Sequence, residues 1–73
     1  MPIRPYLNGK VFDPELISEM SIALERVCDA LQLQRVDDRL TRFVSEKIIQ
    51  FAQYGVQDAD TLRLMTLKEF KAD

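Results

Sequence analysis

The sequence predicts a small all-α protein, a three-helix bundle with an extended N-terminal arm, and three observations lead there. Apolar residues recur at helical spacing through most of the chain, Asp13-Pro14, Asp37-Asp38 and Asp58 stand where helices would start, and Gly55 stands where one would stop. Helices are expected over about 14–32, 38–54 and 59–71, in a single helical domain that begins at Asp13.

Residues 1–12 form the arm. Pro2 and Pro5 remove backbone donors and resist helix, so an extended path is expected there. Asn8-Gly9 suits the positive φ angles of a tight turn, which leaves a weak hairpin between Tyr6-Leu7 and Val11-Phe12 as the alternative. The first helix has the clearest start. Asp13 is placed to cap with its carboxylate, Pro14 fits the first helical position where no donor is missed, and Glu15 sets negative charge beside the positive end of the helix dipole. At about 100° per residue, Leu16, Ile17, Met20, Ala23, Leu24, Val27, Cys28 and Leu31 share one face. Ile22 alone falls among the charged residues of the other.

The pattern lapses over Gln32–Val36, and Asp37-Asp38 then offers two caps for the second helix. Its expected buried stripe is Leu40, Phe43, Val44, Ile48, Phe51 and Ala52, with Ile49 breaking the polar side. Lys47 falls inside the stripe, so its stem should lie on Phe43, Phe51 and Tyr54 while the ammonium reaches water. Gly55 is the expected left-handed stop, with Val56 placed to fold back onto Phe51. Asp58 then caps the third helix, whose apolar residues Leu62, Leu64, Met65, Leu67 and Phe70 spread around the whole circumference. Either the helix breaks near Thr66, where Thr66 and Glu69 have capping-box spacing, or it continues and is buried on several sides, partly by a second chain.

Composition excludes most chemistry. The 73 residues contain no histidine, which removes the commonest general base and transition-metal ligand. Cys28 is the only cysteine, so no disulfide can form within the chain, and its place on an apolar face marks it as a small core hydrophobe in a reducing cytoplasm. Asp37-Asp38 and Asp58-Ala59-Asp60 lack the ligand series and bend glycine of a calcium loop and are read as caps. No enzyme activity, cofactor, metal or small-molecule substrate is expected. There is no stretch of about 18 apolar residues to span a membrane, and the net charge of −2 is scattered along the chain. The span Ile48–Leu67 has the outline of a helix-turn-helix unit, but its second helix opens with Asp58 and Asp60, which would repel phosphates.

At the level of phrases, Phe12-Asp13-Pro14-Glu15, the run from Ser45 to Gly55 and the ending Leu67-Lys68-Glu69-Phe70 resemble a group of short alphaproteobacterial proteins of uncharacterised function. The resemblance covers most of the chain after Lys10; it implies a bacterial cytoplasmic setting and a compact helical domain, and it supplies no site residues. Taken with the out-of-pattern isoleucines, the expectation is a helical protein–protein interaction or assembly module forming a homodimer. Ile22, Ile49, Leu64 and Leu67 are the interface candidates, and Asp13, Pro14, Gly55 and Asp58 the structural positions. The alternative is a small regulator that contacts nucleic acid through Arg35, Arg39 and Arg42.

Overall fold

A computed structural model describes residues 3–7, 9–32 and 39–71. A single 3-10 turn, Arg4–Tyr6, precedes three helices: α1 (Pro14–Ala30), α2 (Arg39–Gln53) and α3 (Ala59–Lys71). Each helix packs on both of the others, and no strand occurs among the described residues. This is the three-helix bundle that the periodicity predicts. Asn8, Arg35 and the caps expected at Asp37-Asp38 lie outside the described residues.

The arm departs from expectation. It is not extended over residues 3–7, and the hairpin strands about Asn8-Gly9 do not form among its described residues. Tyr6 N–H donates to Ile3 O at 2.9 Å and Leu7 N–H to Arg4 O at 3.1 Å, closing the turn. Pro5 sits at its start, where the missing donor costs nothing. The reason for this path is burial. Ile3 is fully enclosed and Leu7 nearly so, the Ile3 N–H donates to Ser21 Oγ on α1 at 3.1 Å, and the turn packs on α2.

At the start of α1, Pro14 is the first helical residue and Asp13 precedes it as the cap position. Asp13 O accepts the Ile17 N–H at 2.9 Å, but its carboxylate makes no capping bond. The exposed side chain contributes only its negative charge at the positive helix end. α1 stops two residues before the expected end. Leu31 N–H returns to Val27 O, and Gln32, at φ 58°, sends its N–H to Asp29 O at 3.1 Å. A glutamine therefore holds the left-handed stop position that glycine usually takes.

α2 has the expected extent but a different roll. Its buried residues are Thr41, Val44, Ser45, Ile48, Ile49 and Ala52, whereas Leu40 and Phe43 are exposed. At ~100° per residue the buried face is turned by roughly 80° from the predicted stripe, toward Ser45 and Ile49. The arm lies on this side of α2, where Pro5 and Tyr6 line a groove together with Ile49. Ser45 tolerates burial because its hydroxyl donates to Thr41 O at 2.9 Å, within the helix's own ladder. Gly55 ends α2 as expected. At φ 105° it donates to Ala52 O at 3.1 Å, and Val56 N–H to Phe51 O at 3.2 Å, the paired bonds of a Schellman stop.

α3 runs unbroken through Thr66, so the capping-box reading gives way to a continuous helix. Thr66 is fully buried, its hydroxyl finds no hydrogen-bond partner among the described residues, and Glu69 pairs with Lys47 instead. Leu62 and Leu67 are buried because α3 meets α1 on one side and α2 on another. Asp58 caps the start, its Oδ2 accepting the Thr61 N–H at 2.9 Å. A second cap comes from α1: Glu19 Oε1 accepts the Ala59 N–H at 2.9 Å. Close by, Arg26 Nη1 donates to Asp60 Oδ1 at 2.8 Å.

Ile3→Ala should lower the unfolding free energy by about 2–4 kcal/mol in urea titrations, the range for a buried large-to-small change. An unchanged midpoint would show that the arm does not hold the core. The two left-handed stops should respond in opposite directions. A Cβ at Gly55 meets nothing within 4 Å, so Gly55→Ala should cost about 1 kcal/mol through backbone conformation alone. Gln32→Gly should raise stability by about as much. Thermal melts of the two variants check both signs.

Candidate functional site

The four interface candidates separate into two groups. Ile22 and Leu64 are 41% and 55% exposed, as expected of surface positions. Ile49 and Leu67 are only 4% and 8% exposed within one chain, so both belong to the core and leave the list. Ile49 lines the groove between the arm and α2, and Leu67 is enclosed where α3 packs between its neighbours.

In their place stand two residues that the periodicity assigns to the core. Leu40 and Phe43, one turn apart on α2, are 44% and 45% exposed. The Phe43 ring meets the Phe70 ring of α3 edge-on, with centroids 5.4 Å apart and planes at 78°. Lys47, a turn further along, places its ammonium 5.7 Å from the Phe43 centroid and 3.2 Å from Glu69 Oε1. The result is a small apolar patch across the α2–α3 seam with an ion pair at its rim. An aromatic centre with a polar edge is the composition of protein-binding surfaces.

Elsewhere the surface of the described residues includes depressions. One, of about 390 Å³ between the arm and α2, sets Lys10 and Arg42 beside Glu46, Gln50 and Gln53. Another, of about 420 Å³ at the start of α1, is acidic, with Asp13, Glu15 and Glu19 on its wall. Glu19 is already engaged with the Ala59 N–H. No group of three carboxylate or thiol side chains suited to a metal occurs among the described residues. Cys28 is fully buried.

Arg39 and Arg42 are exposed, but Arg42 shares its groove with a carboxylate. At the α3 end the charge is firmly negative. The Thr61 backbone N–H and then the Thr61 hydroxyl, both 2.9 Å from Asp58 Oδ2, hold the Asp58 carboxyl below its ordinary value. A carboxyl shifted downward on folding contributes stability that is complete above its unfolded pKa and is lost as pH falls through the folded one. Acid titration by NMR should therefore find Asp58 ionising below the usual range near 3.9, with stability declining across that interval. Asp58→Asn keeps an acceptor for the same N–H and should flatten this part of the pH–stability profile; an identical slope in the variant would contradict the cap's role.

No known family model, curated protein or solved structure matches this chain, so its function has to be argued from the surface itself.

Proposed function

We propose that this protein is a helical interaction module of the bacterial cytoplasm that self-associates, forming a homodimer through the outer edge of α2. The observation that carries the reading is the exposure of Leu40 and Phe43 together, continuous with Phe70 across the α2–α3 seam. Single exposed apolar side chains are ordinary, whereas a joined aliphatic and aromatic cluster on a chain with so little surface is a binding feature. Closed two-fold pairing is the commonest way for a small protein to cover such a patch. Ile22 and Leu64 supply further apolar surface on α1 and α3. No helix among the described residues is long and apolar enough to cross a membrane. The nucleic-acid alternative is less well supported, because Asp58 and Asp60 at the start of α3 are both exposed and would meet phosphates with like charge.

Sedimentation equilibrium on the wild type should give a mass that rises with concentration toward two chains. Phe43→Glu should weaken the association about 30-fold or more, as for loss of an interface anchor, while the bundle stays folded with a melt lowered by the lost ring contact with Phe70. Ile22→Glu reports separately on the α1 surface. A wild type that stays monomeric at high micromolar concentration would refute self-association, and micromolar DNA binding abolished by Arg39→Glu would favour the regulator instead.

A further inference from the structure

The exposed edge of α2 carries its own complement. Arg39 lies four residues before Phe43 and Glu46 three residues after it, and both are exposed. At ~100° per residue these two sit within about 20° of one another around the helix axis, on a line beside Phe43. Neither takes part in an ion pair among the described residues, whereas Lys47, Arg26 and Arg63 on the same molecule all do. A positive and a negative side chain placed on either side of an exposed aromatic ring form a pattern that reads oppositely in the two directions along the helix.

We infer that the partner of this face is a second copy of the same chain, with the two α2 helices antiparallel and the two-fold axis at Phe43. This rests on the self-association reading and specifies its geometry. Reversing the direction of one helix about Phe43 brings Arg39 of one copy opposite the turn that holds Glu46 of the other, and the symmetry makes the contact twice. A two-fold interface must be self-complementary in this way, each contact recurring with the roles exchanged. A parallel arrangement would oppose Arg39 to Arg39 and Glu46 to Glu46, which costs energy. Lys47 also falls near the partner's Arg39 in the antiparallel pairing, but its ammonium is held by Glu69 at 3.2 Å, and that carboxylate adds negative charge to the same spot. Leu40 and Phe43 of the two copies then close the centre, with the ion pairs at the rim.

Charge reversal tests this directly in the 73-residue chain. Arg39→Glu and Glu46→Arg should each weaken the sedimentation-equilibrium dimer about tenfold, since each replaces two attractive contacts with two repulsive ones. The double variant, with the charges exchanged, should recover affinity close to the wild type. Rescue by exchange is not produced by a loss of folding, and thermal melts of the three variants check that the bundle is intact. Raising the salt concentration should narrow the differences among them. A dimer indifferent to both reversals, or a double variant weaker than either single one, overturns the antiparallel pairing while leaving self-association standing through another surface. A wild type that remains monomeric overturns both.

Discussion

The rest of the bundle depends on the enclosure of Ile3. The 3-10 turn at Arg4–Tyr6 brings Ile3 and Leu7 into a core they share with side chains of all three helices, with Ile3 hydrogen-bonded to α1 and the turn packed on α2. That closure sets the roll of α2. With the arm on the Ile49 side, Ser45 and Ile49 are interior and the opposite edge faces outward. The exposure of Leu40 and Phe43 is thus the counterpart of burying Ile3, and the candidate interface follows from a contact at the other end of the sequence. Surface and core are two results of one rotation.

Much of the architecture was legible because its signals are local. Pro14 at the first turn of α1, Gly55 at the Schellman stop and Asp58 beside Thr61 each act within a few residues, so their meaning does not depend on the fold around them. Ile22 was legible for the same reason, since a break in the helical pattern needs only the helix itself. The roll of α2 was not. Leu40 and Phe43 look like core by type, Thr41 and Ser45 do not, and only a partner from outside the helix decides between the two faces. Ile3 is likewise an isolated apolar residue between a proline and an arginine, with no period around it to announce burial.

The polar ties between α1 and α3 were hidden in another way. Glu19 and Arg26 fall on the charged side of α1 and would be solvated in an isolated helix, yet they reach Ala59 and Asp60. These contacts differ in weight. The Arg26–Asp60 pair is well exposed and contributes little on its own, as surface ion pairs do. The Glu19 bond satisfies a backbone donor that a helix start always leaves open, and a charged acceptor strengthens it.

That bond has a consequence for the order in which the chain folds. A helix that carries its whole cap in its own sequence can begin to form alone, but one that borrows part of the cap from a helix 40 residues earlier gains it only after the two have docked. The Ala59 N–H therefore gains its partner only when α1 is docked and loses it when that packing loosens, while the Asp58 cap stays within the third helix's own sequence. The arrangement links a local helix–coil equilibrium to tertiary contact formation. The third helix has little reason to persist on its own, and the domain is disposed to fold and unfold as a single cooperative unit.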